Sequence, residues 1–268
     1  MNPPLDPVEI TRGDSPLLLG MPHTGTFLPP EILARLNARG RQLTDTDWHI
    51  DRLYADLIPG ATIVRATFHR YVIDANRPPG AESLYPGQNT TGLIPLTDFD
   101  GEPIWSTPPT DSDTAARLSA FHQPYHAAIA AELARIHARH GVAILYDCHS
   151  IRGHIPFLFD GRLPDMNIGT ADGTSCDARI TQAVMDAVER SKGHSHVLNG
   201  RFKGGWTTRH YGRPAQGVHA IQMELAQSTH LETETPPFAY AEEKAARLRP
   251  ILADILTRLI DLAPTLRS

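Results

Sequence analysis

Two cysteines in 268 residues, Cys148 and Cys176, are too few for a disulfide framework. No apolar run approaches the ~20 residues that a membrane-spanning helix needs, so no membrane role is expected. Positive charge is in deficit: 25 Lys and Arg against 30 Asp and Glu leave a net charge of -5. With no basic run to track phosphates, nucleic acid is excluded as a partner. The opening residues carry no basic segment followed by an apolar one, so no secretory leader is expected and the cytoplasm is the expected setting. Familiar catalytic signatures are missing as well: the chain has no glycine-rich phosphate loop, no G-x-S-x-G elbow and no H-E-x-x-H helix. It has no internal repeat and no linker, and its length predicts one domain, 1–268, large enough to bury a substantial core.

What the chain does have is histidine, 14 in all, and an alternation of strand-like and helix-like segments. Apolar or β-branched runs predict strands at 16–21, 61–66, 70–74, 142–147, 155–159 and 218–225. Helical periodicity predicts helices at 29–38, 47–58, 113–139, 177–190 and 239–261. This order predicts an α/β domain with a mixed, mostly parallel sheet flanked by helices. Residues 78–109, rich in Pro, Gly and Thr, are expected to be an irregular functional loop. A second loop, 200–217, is rich in Gly, Arg and aromatic residues.

Two histidines stand out by position. His23 follows the run 17–19 in Met21-Pro22-His23-Thr24-Gly25, and His149 follows the run 142–145 in Tyr146-Asp147-Cys148-His149-Ser150. Each lies at the exit of an expected parallel strand, the edge where open α/β sheets place their ligand crevice. A carboxylate would complete a catalytic zinc site with one open position. Candidates are Asp47 and, in reserve, Asp51, four apart and so on one face of the expected helix; a plain helix cap is the alternative for Asp47. Strand alternation puts Asp147 and His149 on one face and Cys148 on the other, so Cys148 is read as core and Asp147 as a carboxylate that orients a ligand. Glu224, pointing with Gln222 away from Met223 and Leu225, is the candidate general base. Arg77, beside Asn76, has the planar fork that binds carboxylates. Arg70, Arg152 and Arg209 are further arginines near strand ends or loops, and several arginines beside a metal point to an anionic substrate such as a dicarboxylate. His122 and His126, four apart on the long helix, lack an acidic partner and are read as packed or solvated.

The blocks Pro22-His23-Thr24-Gly25, Thr46-Asp47-Trp48-His49-Ile50-Asp51, Arg70-Tyr71-Val72-Ile73-Asp74-Ala75-Asn76-Arg77-Pro78, Asp147-Cys148-His149-Ser150, the run from Phe202 to Gly212 and the run from His219 to Gln227 occur in order. Together they resemble the N-formylglutamate amidohydrolase family. The resemblance implies a zinc-carboxypeptidase-like (phosphorylase/hydrolase-like) fold and hydrolysis of N-formyl-L-glutamate to formate and L-glutamate, in histidine degradation. It also maps the substrate-carboxylate clamp of the wider group onto Asn76 and Arg77. One departure matters: relatives in that wider group take a Glu three residues after the first His as a ligand, and position 26 here is Thr, so the carboxylate ligand must come from elsewhere in the chain, Asp47 or Asp51.

The expected site is therefore one divalent metal, zinc, on His23, Asp47 and His149, with Glu224 as base, Asn76 and Arg77 on the α-carboxylate, and Arg209 or Arg70 on the side-chain carboxylate. The expected partner is a small anionic N-acyl amino acid. Two rivals share the sequence features: a zinc deacylase or carboxypeptidase for another N-acyl amino acid or peptide, and a non-catalytic binding protein for an anionic metabolite.

Overall fold

The structure, a computed structural model, describes residues 6–80, 82 and 87–266; the N-terminal residues that bear on a leader lie outside these, as do five positions of the 78–109 loop. In chain order the elements are β1 (Val8–Thr11), β2 (Leu17–Met21), α1 (Pro30–Leu33), α2 (Ile50–Tyr54), β3 (Thr62–Ala66), α3 (Asp111–Arg117), α4 (Gln123–His140), β4 (Ala143–Ile151), β5 (Met166–Gly169), α5 (Ala178–Arg190), β6 (His196–Leu198), α6 (Trp206–Tyr211), β7 (Val218–Ala226) and α7 (Glu242–Leu262). Among the described residues the strands form one mixed sheet in the order β1-β3-β2-β4-β7-β5-β6. The four strands β3, β2, β4 and β7 run parallel to one another. The flanking strands β1, β5 and β6 run the other way.

Every residue of β2 and β4 is buried, as parallel strands covered on both faces must be. On one face Leu17, Leu19, Tyr146, Cys148 and Met223 pack under α2, α5 and α7. On the other, Leu18, Val64, Leu145 and Ala220 pack under α4 through Ile129, Leu133 and Ile136. Cys148 thus lies in the core on the face away from Asp147 and His149.

Several elements differ from the periodicity. Residues 70–74 are a turn rather than a strand: Tyr71 N–H donates to His69 Nδ1 and Val72 N–H to the His69 carbonyl. The apolar run is buried all the same, Tyr71, Val72 and Ile73 packing in the core cluster under α4. Residues 155–159 also form a turn, closed by Leu158 and Phe159 N–H on the Ile155 carbonyl. The helices expected at 29–38 and 47–58 shrink to α1 and α2; His49 adopts φ 59° just before α2 and Asp56 φ 57° just after it, which bounds that helix. The long helix runs through α3 and α4 with a π turn at Leu118–His122 between them. Pro124 explains the turn, since its ring cannot accept a straight α-helical path over the preceding carbonyl. β1, β5 and β6, of four, four and three residues, are too short to announce themselves. The 200–217 loop contains α6.

Candidate active site

The parallel strands end at one edge of the sheet. The chain leaves β2 through Pro22 and places His23 there, while His149 lies near the end of β4. Asp47 comes from the turn before α2, and its N–H donates to the His23 carbonyl at 3.0 Å, which pins that turn beside β2. Nδ1 of His149 lies 3.1 Å from Asp47 Oδ2 and Nδ1 of His23 lies 3.7 Å from the same oxygen. One ligand atom from each of these three buried residues falls within 4.8 Å of the others.

The far ring nitrogens meet further buried carboxylates. His23 Nε2 is 2.7 Å from Asp74 Oδ1, and His149 Nε2 is 3.2 Å from Asp147 Oδ1. A carboxylate on the far nitrogen fixes the tautomer and orientation of a metal-binding imidazole. His23 Nδ1 is buried without a hydrogen-bond partner, an orphan that a cation among these groups would satisfy. Two imidazole nitrogens and a carboxylate fit a catalytic divalent ion, zinc among several.

Glu224 stands across from His149 in the β4–β7 register. Gln222 Nε2 donates to Glu224 Oε2 at 3.2 Å, and Gln222 Oε1 accepts from Gly205 N–H at 2.7 Å. Burial pushes the Glu224 carboxyl up to about 8, with Asp47 and Asp147 adding to the shift and His149 and Arg70 opposing it. Burial also opposes ionisation of Asp47, but the hydrogen bond from His149, the nearby His23 ring and the charge of Arg70 outweigh it and hold Asp47 well below the usual carboxylate range. Asp74 is likewise held low against burial, by His23, Arg77 and Arg70. His149 is held well above its ordinary value, because Asp147, Asp47 and Glu224 overcome the burial that disfavours its charge.

His23, His149, Glu224, Asn76, Arg70, Arg77 and Arg201 share the walls of one cavity of about 580 Å³, counting its open mouth. Asn76 is held from two sides: its Oδ1 accepts from Thr207 N–H at 2.8 Å, and its Nδ2 lies 3.1 Å from His149 Nε2. Gly205 must lack a side chain here, since a Cβ would fall 2.2 Å from Asn76 Nδ2. Arg77 is set by the loop at 90–91, with Nε on the Thr91 carbonyl at 2.9 Å and Nη2 near both threonine hydroxyls.

The remaining sequence candidates separate. Asp51 is off the site: α2 starts at Ile50, so Asp47 precedes the helix and shares no face with Asp51, whose half-exposed carboxylate is 3.5 Å from Arg65. Arg209 is not among the described residues lining the cavity; it lies on α6 and its Nε donates to the Gly204 carbonyl. Arg152 pairs with Asp100 at 3.0 Å. Arg70 is buried at the metal-ligand end, with Nη2 3.0 Å from Asp47 Oδ1. Sequence reasoning missed Asp74 as the partner of His23 and Arg201 as a wall residue. Asp74 lies inside the Asp-Ala-Asn-Arg block, where a buried acid beside Arg77 was the available signal; Arg201 lies in the Arg-rich loop but had no spacing to single it out.

A family model described as N-formylglutamate amidohydrolase matches residues 15–231, from β2 past β7. An N-formylglutamate deformylase of Pseudomonas aeruginosa is 49% identical over 257 residues, covering 94% of this chain and 96% of the relative. A protein of the same description from Pseudomonas putida is 46% identical over 254 residues, covering 93% and 94%. The crystal structure of an N-formylglutamate amidohydrolase from Ralstonia eutropha superposes with a TM-score of 0.78 at 26% identity, over 98% of this chain and 99% of the other. A gene product of Agrobacterium tumefaciens, at 19% identity and TM-score 0.71 over 96% of each chain, shares the fold. A match that takes in every strand bearing a cavity residue, with near-half identity along almost the whole chain, places this protein in the N-formylglutamate amidohydrolase family.

Proposed function

We propose that this protein hydrolyses N-formyl-L-glutamate to L-glutamate and formate, using one divalent metal. The observation that carries the proposal is the convergence of His23, Asp47 and His149 beside Glu224 in a cavity that also presents Arg77 and Arg201. His23, Asp47 and His149 would hold the ion, which would supply a Lewis acid to polarise the carbonyl and to lower the pKa of water toward ~7. Glu224, across from His149, takes the proton of the attacking water in its ionised form, which the charge of a bound metal would favour over the buried neutral acid, and delivers it to the departing amine. Asp74 keeps the His23 imidazole in the tautomer that turns Nδ1 to the ligand set, and Asp147 flanks the far nitrogen of His149.

Asn76 and Arg77 bind the α-carboxylate. Arg70, tied to Asp47 at the ligand end, is placed to stabilise the oxyanion that develops on the formyl oxygen. The side-chain carboxylate then falls to Arg201, on the wall where its guanidinium donates to the Leu158 and Asn89 carbonyls. The finer fold description, zinc-carboxypeptidase-like, suits ligands presented from the ends of adjacent parallel strands. A cytoplasmic setting suits Cys148 and Cys176, both buried free thiols.

The test is formate release from N-formyl-L-glutamate by metal-loaded and chelator-stripped protein, with N-acetyl-L-glutamate as control. Metal-dependent release from the formyl compound alone is the expected result. Turnover of the acetyl compound instead moves the protein to another deacylase, and turnover of neither overturns the proposal.

A further inference from the structure

We infer that His122 and His126 are positioning residues for the substrate-carboxylate clamp, holding from one side the two backbone carbonyls that bracket Asn76 and Arg77. The inference rests on the clamp role proposed above for those two residues. His126 Nε2 lies 2.8 Å from the Ala75 carbonyl, and His122 Nε2 lies 3.0 Å from the Arg77 carbonyl. The Ala75 carbonyl belongs to the peptide that leads into Asn76. The N–H of that same peptide donates to Asp74 Oδ1 at 2.8 Å, so the peptide plane is held at both ends. The Arg77 carbonyl belongs to the peptide that leads into Pro78, which has no N–H. His122 is thus the bond that sets this second plane.

The two imidazoles are themselves fixed. Their centroids are 4.4 Å apart, and the Trp206 indole packs 4.4 Å from His126 and 5.5 Å from His122. His126 Nδ1 lies 3.0 Å from the Tyr211 hydroxyl. Tyr211 ends α6, and near the start of α6 the Thr207 N–H holds the Asn76 side chain. One short helix therefore ties the backbone support to the side chain it supports. Burial lowers both histidines from their ordinary value, so each stays neutral and offers a proton on Nε2 to its carbonyl. His122 ends the π turn, and interruptions of this kind recur at functional sites. A turn that positions a bidentate arginine must hold its geometry to a fraction of an ångström.

The experiment compares His122→Leu and His126→Leu with His122→Gln and His126→Gln, because a glutamine amide can donate from near the Nε2 position. The substrates are N-formyl-L-glutamate and N-formyl-4-aminobutyrate, which lacks only the α-carboxylate. The leucine variants are expected to raise KM for N-formyl-L-glutamate ~10- to 100-fold with kcat within about threefold. They should leave KM for the shorter acid near its wild-type value, and the glutamine variants should recover most of the loss. A fall in kcat at unchanged KM, or an equal rise in KM for both substrates, overturns the inference. If a leucine variant does not fold, His122→Asn, whose amide is too short to reach the carbonyl, gives the same comparison. L-Glutamate affinity, measured by calorimetry on each variant, reads the clamp without turnover. A wild-type protein that releases no formate thus defeats the proposed substrate, while equal L-glutamate affinity across the variants defeats the positioning role.

Discussion

Glu224 combines burial, a raised carboxyl and a place across from His149, and its loss has a specific signature. Glu224→Gln keeps the size and the Gln222 contact but cannot accept a proton. Its kcat should fall ~10²-fold or more while metal content stays at the wild-type level. Near-normal turnover in that variant removes Glu224 from its role. The ligand histidines lead to a second expectation. An imidazole must be neutral to bind a metal, yet Asp147 and Asp47 favour the protonated form of His149 in the metal-free protein. Loading the stripped protein near pH 7 should therefore release protons, measurable by calorimetry in two buffers of different ionisation enthalpy; no buffer dependence contradicts it. Arg77→Ala and Arg201→Gln should separate: the first raises KM for every N-formyl amino acid, and the second erases the preference for N-formylglutamate over N-formylglutamine. Equal effects would mean that the two arginines do not read different carboxylates. His23 and His149 were legible in the sequence because each follows a short apolar run and so lands at a strand end. Asp47 was legible, with Asp51 in reserve, as an acid at an expected helix start that two histidines in need of a carboxylate could share. Asp74 as the partner of His23 was not, because nothing in the spacing tells that the 70–74 turn brings Asp74 to the residue two places beyond β2.

At the scale of elements, burial periodicity identified the long helices and the central strands. It failed where a residue's surroundings overrode its preference. The run 70–74 has the apolar centre of a strand, but His69 closes it into a turn, its ring and carbonyl accepting from Tyr71 and Val72 N–H. Three short strands stayed unseen because their register is set by partners distant in the chain. The helix α6 was read as loop because its start is dictated by a contact: Gly205 lets the backbone approach Asn76 so closely that no side chain fits. Gly205→Ala should displace α6 and with it the Thr207 bond to Asn76. The expected result is a raised KM together with a lower melting temperature; a variant with wild-type values for both shows that the contact relaxes without consequence.

For the molecule as a whole, buried neutral histidines set a response to acid. Burial pulls His230 down to about 4, where its Nε2 meets the Trp48 carbonyl at 3.0 Å. An unfolded histidine titrates near ~6.5, so between these values the unfolded chain binds more protons. The contribution of His230 is therefore complete above pH ~6.5 and declines as pH falls toward 4, by at most about 1.4 kcal/mol per pH unit. The fall in urea midpoint between pH 7 and pH 4.5 should be shallower in His230→Gln than in the parent protein, and equal slopes would assign the acid response to other groups.

The strand order has a further consequence, one that concerns synthesis. β7 sits between β4 and β5 although it follows both in the chain. On the ribosome, β4 is complete at Ile151 and waits for a partner that begins at Val218. At ordinary elongation speeds that interval lasts roughly 3–13 s. During it, one edge of a nine-residue strand destined for complete burial stays unpaired. Glu224 arrives with the strand that closes this gap, so the nascent chain gains its proposed general base at the moment its open strand edge is covered, and in those seconds before closure a chaperone has the most to protect.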